Sequence, residues 1–153
     1  MRWRRLTRNR LSFVALCVIL TVTLASLFAP WLAPYDPDNT DAEATLLSVS
    51  LRHPLGTDVY GRDQLSRVIH AGRVDLLVAL SATAIALTLG SALGAGAGYR
   101  GGWVDQLVMR GVDAVMAFPA FILAMAITAA LGNSIANVVA AIAITHVPIY
   151  TRL

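Results

Sequence analysis

Three stretches of this 153-residue chain contain no Asp, Glu, Lys or Arg: residues 11–35, 76–99 and 114–151. A helix of about 20 apolar residues crosses the hydrocarbon core of a bilayer, so the first two stretches each fit one crossing. As a single helix the third would run about 57 Å at 1.5 Å per residue, nearly twice the core thickness, and it must turn back. The Gly-Asn pair in "LGNS", residues 131–134, supplies the turn chemistry. The pattern therefore predicts an all-α polytopic bundle with four spans, near residues 11–29, 76–99, 107–131 and 135–150. With 57% of its residues hydrophobic and 14% charged, the chain lies outside the soluble range.

Charge placement predicts the topology. Five arginines (Arg2, Arg4, Arg5, Arg8 and Arg10) precede the first span, and basic residues stay on the cytoplasmic side. That clustering accounts for the formal net charge of +3 without a nucleic-acid partner. Seven acids against four arginines occupy residues 36–75, as suits an exterior loop, and its first part, "YDPDNTDAEA", is rich in turn formers. Arg100, in the Gly-Gly turn "YRGGWVDQ" at residues 99–106, falls inside again. Trp31, Tyr35 and Trp103 sit where amphipathic rings favour the interface. The Arg-rich start also resembles a signal peptide, but the apolar core is longer than such segments carry. Cys17, the only cysteine, permits no intrachain disulfide.

Few residues point to chemistry. Gly56 and Gly61 have the glycine spacing of a Walker loop, but Arg62 and Asp63 stand where Lys and Ser or Thr must reach the phosphates and magnesium. His53, His70 and His146 lack the close pairing of a metal motif, so no metal, no cofactor and no catalytic constellation is expected. His53 and His70 read as exposed loop residues. His146 lies within the fourth span beside Pro148, where an ionisable group faces a partner helix or a wet cavity.

Ala82, Ala86, Gly90, Gly94 and Gly98 recur every four residues along the second span, which makes a seam for close helix packing or, alternatively, a pore-lining stripe. Arg110 and Asp113, three apart, are spaced to pair on one helix, with an intersubunit contact as the alternative. Pro119 removes a helical hydrogen bond within the third span and predicts a kink. Before the second span, Leu65, Val68 and Ile69 follow helical spacing, which predicts a short interfacial helix after the turns at "GTD" and "YGRD". Arg62 and Asp63 are candidates for an exterior contact or gate there.

"HPLGTDVYGRDQLSR", "GYRGGWVDQLVMRGVDAVMAFPAFILAMAI" and "LGNSIANVVAAIAITHVPIYTRL" resemble the dipeptide, oligopeptide and nickel-type permease subunits of bacterial ABC importers. The likeness covers almost the whole chain. Residues 1–52 resemble the extra N-terminal module of the second permease, 53–75 an exterior motif with the interfacial helix, and 76–153 the start of the shared transport domain. Asp75 departs from the small uncharged residue more usual before the second span, which leaves that span's depth open.

The resemblance implies a six-span inner-membrane subunit with its N-terminus in the cytoplasm. It pairs with a homologous second permease subunit, two cytoplasmic ATPase subunits and an extracytoplasmic substrate-binding protein, among membrane lipid. Peptides or chelated nickel are the implied cargoes. The coupling helix and the last two spans of that pattern are not among these residues, so the chain reads as C-terminally truncated and unable to couple hydrolysis to transport alone. The alternative is a non-transporting membrane scaffold or inactive gene fragment. The predicted topology places residue 45 outside: in a Cys17→Ser background, Thr45→Cys is expected to react with an impermeant maleimide from the exterior face. Reaction only from the cytoplasm overturns that orientation.

Overall fold

A computed structural model describes residues 10–153, and every regular element among them is helical. In chain order these are α1 (Arg10–Leu27), α2 (Ala29–Leu32), a 3-10 turn (Ala42–Ala44), α3 (Gln64–Arg100), α4 (Gly102–Met116), α5 (Ala120–Leu131) and α6 (Ile135–Thr151). The chain divides into two compact units, Met1–Leu76 and Leu77–Leu153, and α3 runs through the boundary. The short interfacial helix expected before the second span is not a separate element: its residues form the start of one continuous 37-residue helix. No Gly-Pro or Asn punctuation separates the two, so nothing in the backbone ends the first.

In the first unit, α1 exposes apolar side chains nearly all round and buries only Ser26. Ser26 returns its hydroxyl proton to the Val22 carbonyl at 2.8 Å, which lets a polar residue sit in an apolar span. Gly72 of α3 lies against this serine, where any Cβ would overlap the Ser26 Oγ. α2 starts with Pro30 in its first turn and packs Trp31 on Phe28, ring centroids 5.7 Å apart.

The second unit inverts the pattern of a soluble protein. Its buried apolar residues are small ones, Ala82, Ala86, Ala97, Ala141 and Ala143, with Val112 and Val139, while Leu80, Leu89, Phe121 and Met125 point outward. Lipid solvates large side chains as well as a protein core does, so helices associate through close packing rather than through hydrophobic burial. Ala82 meets Val139 and Ala143 of α6. Further along, a Cβ on Gly90 would stand 2.7 Å from the Val147 carbonyl, and one on Gly94 would overlap the Thr151 carbonyl. The α6 main chain therefore lies directly on α3.

Ala82, Gly90 and Gly94 of the small-residue row lie against α6, and the contact ends before Gly98, where a Cβ would meet nothing within 4 Å. Residues four apart advance about 40° beyond a full turn at 3.6 residues per turn, so the row winds off the α6 face. Ala97, one position earlier, is buried instead.

Among the described residues two helices, α1 and α3, are long and apolar enough to cross a membrane, and α4 with α5 makes a third if the bent pair is one span. The expected kink at Pro119 is an 87° break between α4 and α5. Proline pushes the preceding residue, Phe118, out of the helical region, and Pro119 itself becomes the N-cap of α5. The expected turn at residues 131–134 is also formed. Gly132 takes φ +93°, Ser134 caps α6 by accepting from the Asn137 N–H, and the Asn137 amide donates to the Leu131 and Gly132 carbonyls at 2.7 and 2.9 Å. These bonds satisfy carbonyls that the end of α5 leaves open.

The seam generates a contrast. Gly90→Val should weaken α3–α6 packing by about 1–3 kcal/mol through overpacking, whereas Gly98→Ala should be neutral or stabilise by up to about 1 kcal/mol from helix propensity. Reversible unfolding in mixed micelles measures both. Equal effects at the two positions would contradict the seam.

Candidate functional site

The segment between α2 and α3 folds around two carboxylates. Asp63 stands before the first turn of α3 and accepts from the Ser66 N–H at 2.8 Å and the Ser66 hydroxyl at 2.7 Å, while its other oxygen meets His53 Nδ1 at 2.9 Å. A carboxylate here satisfies an orphan helix donor and complements the positive end of the helix dipole. Ser66 is fully buried and its hydroxyl also accepts from the Tyr35 N–H at 3.1 Å. Tyr35 in turn stacks on His53, centroids 5.0 Å apart. The chain leaving α2 is thereby fastened to the start of α3.

Asp58 organises the neighbouring turn. It accepts from the Tyr60 and Arg62 N–H groups at 2.8 and 3.0 Å and from the guanidinium groups of Arg62 and Arg67 at 2.8 and 2.6 Å. Arg62 also lies over the Tyr60 ring, 4.8 Å from its centroid. The Thr57 hydroxyl donates to the Ala44 carbonyl and accepts from the Leu47 N–H, and the Asp41 N–H donates to the Tyr60 carbonyl. Gly56 and Gly61 take φ of +72° and +74°, and their faces press on the carbonyls of Leu47 and Asp41. A side chain at either position meets both backbone strain and overlap. Their Walker-like spacing is thus the spacing of two turns against one passing strand of chain.

Arg62 and Asp63, the candidate exterior contacts, are both engaged within this loop, Asp63 almost wholly buried and Arg62 half-buried. His53 is not the exposed loop residue its sequence context suggested, because it bridges Asp63 and Tyr35; His70 sits within α3 and bonds the Ser66 carbonyl at 3.0 Å. Ser66 and Asp58 were not singled out as site residues by sequence reasoning, and Tyr35 was read only as an interfacial ring. Asp63 and Ser66 have the three-residue spacing of a helix cap, and Asp58 and Arg62 the four-residue spacing of an ion pair, which were the available signals.

In the second unit the Arg110–Asp113 pair does not form. Asp113 instead pairs with Arg152, which follows α6. Three-residue spacing permits a contact on one helix, but Arg152 brings its cation to the same carboxylate from another. His146 is exposed and its Nδ1–H donates to the Ile142 carbonyl at 2.8 Å, so its bond closes on its own helix. Between α5 and α6 lies an apolar groove of about 460 Å³ walled by Phe121, Met125, Val138 and Ile142. Among the described residues no group of His, Cys, Asp and Glu could hold a metal ion.

A chain with glycine-mediated helix packing and a proline bend in one unit and a self-satisfied polar loop in the other has matches at both ends. Residues 1–50 match the N-terminal TM domain of oligopeptide transport permease C, and residues 78–153 match the binding-protein-dependent transport system inner membrane component. The chain belongs to this family of bacterial inner-membrane transport permeases. It is 40% identical over 151 residues to the dipeptide transport system permease protein DppC of Alkalihalophilus pseudofirmus, covering 99% of this chain and 50% of that protein. It is 41% identical over 157 residues to the di/tripeptide transport system permease protein DppC of Pseudomonas aeruginosa, covering 99% and 52%. The glutathione transport system permease protein GsiD of Escherichia coli is 40% identical over 152 residues, covering 99% and 50%. The chain spans about half the length of the curated relatives it matches. The seam, the bend and α6 all lie in the permease match at 78–153, whereas the carboxylate-centred loop lies largely between the two matches.

The loop of this permease chain carries an acid sensitivity. Partial burial pushes the Asp58 carboxyl up, but the Arg62 N–H and guanidinium and the Tyr60 N–H outweigh it and hold the group at about 2 against an ordinary 3.8. At Asp63 burial again pushes up, and the Ser66 N–H, His53 and the Ser66 hydroxyl bring the carboxyl below its ordinary value. A depressed carboxylate stabilises the fold fully above its unfolded value and loses that contribution as pH falls through the folded one. Amide protection at Thr57, Gly61 and Ser66 in micelles should therefore hold from pH 7 to about 4 and fall toward about 2. In Asp58→Asn the component due to Asp58 should be missing from that fall; an identical acid profile would refute its origin.

Proposed function

We propose that this chain is the membrane-spanning permease subunit of a bacterial ABC importer and forms part of the translocation pathway for small peptides or a related solute such as chelated nickel. The pair of matches at 1–50 and 78–153, laid on spans that pack through a glycine seam, carries the reading. The relatives named as dipeptide, di/tripeptide and glutathione permeases support small peptides as the cargo class. ATP binding and hydrolysis in two partner ATPase subunits supply the energy. A homologous second permease subunit completes the pathway, and an extracytoplasmic binding protein delivers the solute.

The mechanism is a change of helix packing. Each ATPase state favours one of two arrangements of the spans by differential interaction, and the pathway opens alternately to either face. Gly90, Gly94 and Gly98 serve packing along α3, Pro119 supplies a bend in the pathway wall, and His146 faces the pathway or the second permease. Arg62 and Asp63 serve the exterior face by keeping the loop shut on itself, with the N-terminus in the cytoplasm.

Cells in which the gene is deleted should lose ATP-dependent uptake of a labelled dipeptide, and the gene supplied in trans should restore it. An affinity tag on the restored protein should recover ATPase and permease partners from solubilised membranes. Unchanged uptake of dipeptide, glutathione and nickel in the deletion strain would overturn the reading.

A further inference from the structure

We propose that Asp113 and Arg152 are positioning residues that form a breakable latch, holding the end of α6 to α4 beside the Pro119 bend while α6 stays fixed on α3. The proposal deepens the transport reading and its functional arm rests on it. Asp113 occupies the last turn of α4, where the negative end of the helix dipole disfavours an acid. Arg110 on the same helix could relieve it, yet the partner is Arg152, 39 residues away. The pair consequently joins two helices instead of decorating one.

The end of α6 is held from its other side in a different way. Gly90 and Gly94 of α3 admit the α6 backbone itself, with a Cβ on Gly94 placed 3.1 Å from the Thr151 carbonyl carbon. That contact has no flexible side chain to yield, so α3 and α6 behave as one body. The Asp113–Arg152 pair is half-exposed, at 57% and 47%, and an exposed ion pair opens readily. Three residues after α4 ends, the chain breaks by 87° at Pro119. Opening the latch thus removes the charged tie at the end of α6 and leaves α4 held to the α3–α6 body by side-chain packing alone, without disturbing the seam.

The test uses the full chain in lipid nanodiscs with Cys17→Ser, which leaves no native cysteine. Spin labels at the exposed Leu107 of α4 and Ile149 of α6 report the latch, and labels at Leu89 of α3 and Ile144 of α6 report the seam. Asp113→Asn and Arg152→Gln should each broaden or shift the α4–α6 distance, and the charge swap Asp113→Arg with Arg152→Asp should restore it. Raising salt from about 0.05 M to about 1 M should loosen the α4–α6 distance of the unswapped chain as the pair is screened, a measurement that needs no destabilising variant. The α3–α6 distance should stay constant throughout. An α4–α6 distance indifferent to both neutralisations and to salt overturns the latch, as does a swap that fails to restore it while the seam distance is intact.

In the assembled importer, dipeptide uptake should fall severalfold in each neutralised variant and recover in the swap. Uptake unaffected by either neutralisation overturns the positioning role in transport. Absence of uptake in the unaltered complex counts against the transport reading, and the distances then decide the latch alone.

Discussion

The approach of the α6 backbone to α3 is the contact on which the second unit depends. In lipid a Leu side chain gains nothing by leaving the bilayer for a protein interior, so association requires surfaces that meet closely over a long run. Gly90 and Gly94 remove the side chains that would keep the two main chains apart, and Ala82 and Ala86 extend the same surface toward Val139 and Ala143. The outward placement of Leu80, Leu89, Phe121 and Met125 follows directly. The groove between α5 and α6 is walled on the α6 side by Val138 and Ile142, and Ile142 also packs against the Ala82–Val139–Ala143 cluster.

Outside the spans the requirement is reversed. A loop of this length has few regular backbone bonds, so its donors and acceptors need partners from side chains. Asp58 and Asp63 supply them by gathering backbone N–H groups, two arginines, a histidine and a serine onto four oxygens. The arrangement fixes where α3 begins and ties the exit of α2 to it through Tyr35 and Ser66. Gly56 and Gly61 are required for the same reason as Gly90 and Gly94, the near passage of another main chain, with the added demand of positive φ. Glycine spacing resembling a phosphate loop was therefore a record of backbone crowding and not of anion binding.

The features legible in the sequence were those written in runs or short local patterns. Uncharged stretches located the apolar helices, "LGNS" the hairpin between α5 and α6, Pro119 the break, and the four-residue repeat the seam. The repeat also misled at one end, because helical geometry carries Gly98 off the face that Ala82 and Gly90 share. What escaped sequence reasoning was side-chain pairing between distant positions. Nothing in the spacing tells Asp113 to choose Arg152 over Arg110, and nothing local joins His53 to Asp63 across a loop. Such choices are made by where the backbone delivers each group, which the backbone contacts at the glycines determine first.

The 87° break has a further consequence for how this unit carries displacement. Around it the backbone bonds are local: the Ala117 N–H donates to Asp113, the Phe118 N–H to Val115 and the Leu123 N–H to Pro119. None of these bonds spans the bend and sets its angle. The angle must come from what α4 and α5 each pack upon, and both pack upon α6. That helix is also the one whose backbone is pressed on α3. A movement of α6 relative to α4 is therefore expressed at the bend, where no hydrogen bond opposes it, while a movement of α6 relative to α3 must first separate two main chains in van der Waals contact. That difference, with the exposed Asp113–Arg152 pair on the compliant side, sets the two sides of the bundle apart.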